Sequence, residues 1–279
     1  MTSLLYNYTY YLHGYWYEIQ DERTKDLPLV AVHPLTMTSI MLAYFLFVTK
    51  FGPMYMKDRA PFQLRKLMFV YNFVMVGVNG FYLYEALRRS DYLRRFLDFQ
   101  YPDRSIVSTE TMEEINLGWW YWMSKFADWF DTFFYVLRKK ESHINFLHLY
   151  HHISVPTFGY MIMKINPILP SAHLFIVVNT FVHCCMYSYY ALAAMGPTIR
   201  RYLWWKRYIT VLQLGQFAIG IIYGMIVLCL QTGYPSVWLY FGLTQPPFFF
   251  WMFYNFYQKT YTKTNSVNGL TAQQHIKSQ

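Results

Sequence analysis

An all-α integral membrane protein with seven transmembrane helices is the fold this sequence predicts, on three observations. Hydrophobic residues make up 55% of the 279 positions and charged residues 14%, against roughly 25% charged in an ordinary soluble domain. Aromatic residues reach 22%, too many for a disordered chain. Seven stretches are long and apolar enough to cross a hydrocarbon core of about 30 Å, which takes about 20 residues of helix. Of the other classes, the three cysteines Cys184, Cys185 and Cys229 form no CxxC pattern, so a disulfide scaffold and zinc or redox motifs are not expected.

The spans fall near 34–50, 67–87, 115–137, 145–164, 171–194, 208–230 and 237–257. The third and fourth are the most polar, because they carry Lys125, Asp128, Asp131 and several histidines, yet their aromatic and aliphatic background is unbroken. Residues 1–33 read as an N-terminal tail, 34–257 as one membrane domain without internal repeat, and 258–279 as a C-terminal tail. The first 20 residues are Tyr-rich and polar and lack the basic start and apolar run of a secretory signal. Lysine and arginine set the orientation. With the N-terminus outside, the inner segments carry fifteen of them, including Arg138, Lys139, Lys206, Arg207 and Lys263, against eight outside. The sequon Asn7-Tyr8-Thr9 is usable for glycosylation only on a lumenal face, which agrees. Trp119, Trp120 and Trp122 at the outer end of the third span, and Trp204 and Trp205 at the inner edge of the sixth, read as an interfacial aromatic belt.

Ionisable groups inside a span are costly and mark function by default. Span three carries Lys125, Asp128, Asp131 and Thr132 at offsets that align on one helix stripe. Span four carries the HxxHH box His148, His151 and His152, span five Asn179, His183, Tyr187 and Tyr190, and span six Thr210, Gln213 and Gln216. At the helical rise, His151, Asp128 and Gln213 lie about 9, 13 and 7 Å from the inner ends of their helices, and His183 about 18 Å, near mid-bilayer. The expectation is one buried polar chamber opening to the cytosol. Plainer readings stay open: a structural hydrogen bond at His183, an internal ion pair among Lys125, Asp128 and Asp131, interhelical bonds from the glutamines, and packing through the GxxxG of Gly220 and Gly224.

Two chemistries fit clustered imidazoles. In one, three histidines and an aspartate bind a metal, as in a membrane lipid oxygenase or desaturase; with only one box the ligand supply suits a single ion, not a di-iron centre. In the other, imidazole acts as base or nucleophile, with Asp128 or Asp131 fixing its tautomer. A mouth lined by Arg138, Lys139, Lys140, Lys206 and Arg207 suits a substrate with a polyanionic head and an apolar tail, the shape of an acyl-CoA. A third class is a seven-helix receptor or transporter without catalysis.

Four ordered motifs carry a family resemblance. Lys125-Phe-Ala-Asp128-Trp-Phe-Asp131-Thr132, Asn145-Phe-Leu-His148-Leu-Tyr-His151-His152, His183-Cys-Cys-Met186-Tyr187-Ser-Tyr189-Tyr190 and Thr210-Val-Leu-Gln213-Leu-Gly-Gln216 together resemble the very-long-chain fatty acid elongases over nearly the whole chain. The resemblance implies seven helices, six of them around an acyl tunnel, in the endoplasmic reticulum membrane with a lumenal N-terminus and cytosolic C-terminus. It implies condensation of malonyl-CoA with a long-chain acyl-CoA to 3-ketoacyl-CoA, CO₂ and CoA, through an acyl-imidazole and without metal or other cofactor. His151 would be the nucleophile, His148 and His152 would orient it or relay protons, and His183 would lie near the new carbon–carbon bond. Lys125, Asp128 and Asp131 would complete the catalytic set. Asn179, Tyr187, Tyr190, Gln213, Gln216 and the basic residues Arg138, Lys139, Lys206, Arg207 and Lys263 would bind substrate. The implied partners are a ketoacyl-CoA reductase, a dehydratase and an enoyl reductase; a homodimer is open, and no nucleic acid is expected. Three departures stand out. Asp128 replaces the usual Glu. The stretch after Pro156 lacks a Trp pair. Lys277 fills only one of the two usual retrieval positions.

Overall fold

The computed structural model describes residues 10–89 and 94–262. Among these, every regular element is helical, and the one β-contact is an isolated parallel bridge between Gln100 and Thr232. The longer helices are α1 (Pro34–Met56), α2 (Arg65–Arg88), α3 (Thr109–Ala127), α4 (Trp129–Leu137), α5 (Phe146–Ile165), α6 (Pro170–Ala194), α7 (Lys206–Leu230) and α8 (Ser236–Tyr257). Four of them, α1, α2, α6 and α7, are long and apolar enough to cross a membrane. Helices also stand at the other three expected spans, but α3, α4 and α5 carry the ionisable groups and α8 carries Pro246 and Pro247.

Local signals explain the ends. Pro34 opens α1 at a position where its missing N–H costs nothing, and His33 Nδ1 caps the Leu35 N–H at 3.2 Å. The helix runs past the expected residue 50 to Met56 through a π-helical turn, Phe47–Phe51. Ser108 caps α3 through its hydroxyl. The third span is expected as one unbroken helix; instead Asp128 interrupts it, and α4 starts again at Trp129.

The described residues form two compact units. The first joins the described part of Met1–Leu64 to Pro102–Ala172. Its apolar core gathers Met37, Met41, Ile115, Trp119, Trp122, Tyr160 and Met163. Trp119 donates to the Pro28 carbonyl at 3.0 Å and Trp122 to the Pro156 carbonyl at 2.8 Å, both from buried rings, whereas Trp120 is exposed. An offset of three residues turns Trp119 and Trp122 to the packed face, so these two serve the core and not a belt, while Trp120 faces outward. Gly159 makes room for Trp122: a Cβ there would sit 2.2 Å from the indole.

At one end of this unit the stretch 19–33 is fastened by buried polar bonds. Asp21 and Arg23 form an ion pair at 2.6 Å, with side chains 0% and 2% exposed. Arg23 also donates to the carbonyls of Asp103 and Ile106 and to Asn166 Oδ1. The Lys164 ammonium, 1% exposed, donates to Gln20 Oε1 at 2.8 Å and to the carbonyls of Val30 and Val32. Asp103 accepts from the Ser105 backbone N–H at 2.8 Å, and this bond holds its carboxyl below the usual range.

The second unit joins the described parts of Arg65–Tyr101 and His173–Gln279. Here Gly220 and Gly224 bring α7 against Pro246 and Leu243 of α8, so the GxxxG is a packing surface. Phe217 and Phe249 stack across the same pair of helices at 5.1 Å. Arg65 donates to the last carbonyl of α6, that of Ala194, at 2.6 Å, and to the Met195 carbonyl that follows it. Gly196 follows at φ +112°, where a side chain would collide with that guanidinium.

Removing one partner of a buried ion pair leaves an uncompensated charge and costs about 3–5 kcal/mol. Asp21→Ala should therefore lower the thermal unfolding temperature in detergent by many degrees. Lys25→Ala, which breaks the exposed pair with Glu22, should leave it unchanged.

Candidate active site

The expected site residues fall into two sets, one in each unit. The first set sits on α3, α4 and α5. Lys125 Nζ lies 3.8 Å from Asp128 Oδ2, both side chains buried, and 4.4 Å from the Tyr121 ring centroid. This pair closes within a single helix end, at i and i+3, and so does not itself tie one span to another. Asp131 is half-buried on the first turn of α4.

The histidine box stands on the first two turns of α5. Asn145 starts this helix: its side chain accepts the His148 backbone N–H at 3.0 Å. The imidazoles of His148 and His152 lie 4.1 Å apart and those of His151 and His152 5.4 Å. His152 is 8% exposed. His148 Nε2 is 2.7 Å from Thr132 Oγ1 on α4, and Thr132 Oγ1 is 2.7 Å from the Tyr44 hydroxyl on α1. The Tyr44 ring is stacked on Trp129 at 4.2 Å. Three helices thus meet at one imidazole.

Backbone chemistry locks α5 to α4. Pro156 lies inside α5 and has no N–H to give the carbonyl four residues back, that of His152. Trp129 fills the vacancy, its indole N–H donating to the His152 carbonyl at 2.8 Å. The carbonyl of a site residue is thereby tied to the helix that carries Thr132.

The second set belongs to α6 and α7. Asn179 Nδ2 donates to Gln216 Oε1 at 3.4 Å, so the glutamine does join two helices. Gln213 approaches Met186 Sδ at 3.7 Å, a weak contact. His183, 6% exposed, places its ring 5.8 Å from that of Tyr187, which is 1% exposed and lies 6.2 Å from Tyr190. Tyr71 of α2 reaches the Tyr187 hydroxyl at 3.5 Å.

Of the basic residues, Lys206 and Arg207 are exposed, and Arg207 lies over the Tyr208 ring at 5.4 Å. Lys139, partly exposed, donates to the Lys57 carbonyl at 2.8 Å, and Arg138 is half-buried. Lys263 and Asn7 lie outside the described residues. Among the described residues, no group of three His, Cys, Asp or Glu side chains is arranged to hold a metal ion.

Reading the sequence missed Tyr44, Trp129 and the capping role of Asn145. Tyr44 and Trp129 look like two more aromatics in greasy spans, and only a three-dimensional contact separates them from the rest. The proline four residues after His152 was the one local signal: it announces a carbonyl that needs a donor.

A match to the model of the ELO (GNS1/SUR4) family covers residues 29–268. The chain is 36% identical over 272 residues to a very long chain fatty acid elongase of Aedes aegypti, covering 97% of this chain and 75% of that protein. It is 37% identical over 284 residues to very long chain fatty acid elongase 4 of Mus musculus, with 99% and 88% covered. Against very long chain fatty acid elongase 1 of Homo sapiens it is 37% identical over 255 residues, with 87% of each chain covered.

Losing a donor to a buried carbonyl costs about 1–3 kcal/mol, so Trp129→Phe should destabilise the protein by that order. In a Pro156→Ala background the restored backbone N–H can bond the His152 carbonyl, and the same substitution should cost less. A double-mutant cycle of unfolding free energies should show coupling of about 1 kcal/mol; strict additivity would contradict the carbonyl account.

Proposed function

The chain belongs to the ELO (GNS1/SUR4) family, and from that premise we propose that it condenses malonyl-CoA with a long-chain fatty acyl-CoA. The chain is a helical membrane protein and an enzyme of fatty acid elongation. The finer reading is a 3-ketoacyl-CoA synthase. The observation that supports it best is the histidine box itself: three imidazoles on two helical turns, one of them hydrogen-bonded through Thr132 to Tyr44.

In this reading, a ring nitrogen of His151 attacks the acyl-CoA thioester carbonyl. The carbon–nitrogen bond forms, the carbon–sulfur bond breaks, and the CoA thiolate leaves with a proton. Malonyl-CoA then loses CO₂, and the enolate carbon attacks the acyl-imidazole. The new carbon–carbon bond forms as the carbon–nitrogen bond breaks, 3-ketoacyl-CoA is released, and the departing imidazolate takes up a proton from solvent, which restores the neutral imidazole. Acyl transfer through a nucleophile splits one hard step into two easier ones. His152 and His148 orient the nucleophile, and Lys125, Asp128 and Asp131 supply charge on the neighbouring helices. In the second unit, His183 acts in the carbon–carbon step. Asn179, Tyr187, Tyr190, Gln213 and Gln216 line the way of the acyl chain, within a seven-helix bundle with six helices around a tunnel. Arg138, Lys139, Lys206, Arg207 and Lys263 meet the CoA phosphates. The reaction needs no metal or other cofactor.

The proposed setting is the endoplasmic reticulum membrane, N-terminus lumenal with Asn7 glycosylated and C-terminus cytosolic. A ketoacyl-CoA reductase, a dehydratase and an enoyl reductase then consume the product, and a homodimer belongs to the same picture.

His151→Ala should abolish incorporation of labelled malonyl-CoA into lipid while expression stays normal. Incubation with acyl-CoA alone should add the mass of one acyl group to the wild-type protein and nothing to the variant. Full activity in His151→Ala would sink the assignment.

A further inference from the structure

We propose that Tyr44 and Thr132 are positioning residues that hold His148 as its Nδ1–H tautomer, with Nε2 occupied as a hydrogen-bond acceptor. The argument is donor accounting. Tyr44 is 3% exposed and Thr132 0%. The Tyr44 hydroxyl has one hydrogen-bond partner among the described residues, Thr132 Oγ1 at 2.7 Å, and Thr132 Oγ1 has one further partner, His148 Nε2 at 2.7 Å. A phenol carries a single proton, and here Thr132 Oγ1 is its one acceptor. Once Tyr44 donates, the Thr132 proton is left for the ring, and Nε2 must accept it. The opposite direction, with His148 Nε2–H donating inward, ends on a buried phenol proton with no acceptor, the costlier arrangement. Direction is therefore set at the far end of the chain, on α1, where no histidine lies.

This deepens the proposed condensation and rests on it for its kinetic meaning; the tautomer itself rests on the hydrogen bonds alone. A His148 whose Nε2 lone pair is already engaged is unavailable through that nitrogen as nucleophile or base. It offers Nδ1–H as a donor, beside the His152 ring at 4.1 Å. That leaves the two other imidazoles of the box to attack the thioester. A wrong tautomer at a catalytic imidazole is costly even where geometry survives, so a hydroxyl chain anchored outside the box has a chemical task.

The decisive experiment is nitrogen-15 spectroscopy of the full-length protein, labelled at histidine, in lipid. Ring shifts separate the protonated nitrogen from the bare one, and His148→Asn identifies the His148 signals among the nine histidines. Wild type should show His148 protonated at Nδ1. Thr132→Ser, which keeps the hydroxyl, should preserve the pattern. Tyr44→Phe, which keeps the ring on Trp129, and Thr132→Val should both move the proton toward Nε2 or average the two. Tyr44→Phe should also lower kcat about tenfold, the effect of one unmet hydrogen bond, while KM stays within about twofold. Nε2–H in the wild type, or an unchanged pattern in Tyr44→Phe, would overturn the proposal whatever the activity. If the tautomer behaves as expected but acyl-CoA leaves no adduct on the wild-type protein, the condensation reading fails and the positioning role stands.

Discussion

One missing N–H organises the candidate site. Pro156 cannot donate to the His152 carbonyl, and in a low-dielectric interior such a carbonyl must find another donor. Trp129 supplies it at 2.8 Å. From that bond the rest follows: Trp129 stacks on Tyr44, Tyr44 reaches Thr132, and Thr132 meets His148. Gly159, one turn further along α5, lets Trp122 close against the same helix and bond the Pro156 carbonyl. Two indoles, one proline and one glycine thus fix the axial position and the rotation of the histidine helix against α3 and α4. The proposed imidazole chemistry needs this, since a ring displaced by an ångström loses its geometry.

The two units treat polarity differently. In the first, polar groups are concentrated at the histidine box and at the fastened end around Asp21, Arg23 and Lys164, with an aromatic and Met-rich core. In the second, the buried polar residues lie along α2, α6 and α7, including Asn72, Asn79, Asn179 and His183, and the helix pair α7–α8 packs through glycines. Asn72 and Asn79 each donate to the carbonyl four residues back, at 2.6 and 2.8 Å. A polar side chain can sit in an apolar helix at modest cost when its own backbone serves as partner.

Much of this was legible in the sequence. Helices stand wherever apolar length called for a span, and the four motifs pick out residues that the structure groups by unit. Where reading failed, the cause was physical. The break at Asp128 is a backbone event with no proline or glycine to announce it. Trp119 and Trp122 carry the composition of a belt but the spacing of a packed face, and composition was weighed first. The bonds of residues 19–33 join positions far apart in the chain, such as Lys164 and Gln20, and no local periodicity encodes them. Tyr44 is one of 28 tyrosines; its distinction is the atom it touches.

The fastening of residues 19–33 also orders events during synthesis. Its partners include Asp103, Arg104, Ile106 and Lys164–Asn166, so Arg23 meets Asn166 across 143 positions and Gln20 meets Lys164 across 144. Asp21 and Arg23 leave the ribosome early and stay without their final surroundings until α5 has been made. Contacts of such long sequence separation form late and slowly. The amino-terminal stretch therefore has its full set of bonds only once the end of the histidine helix, Lys164–Asn166, is in place.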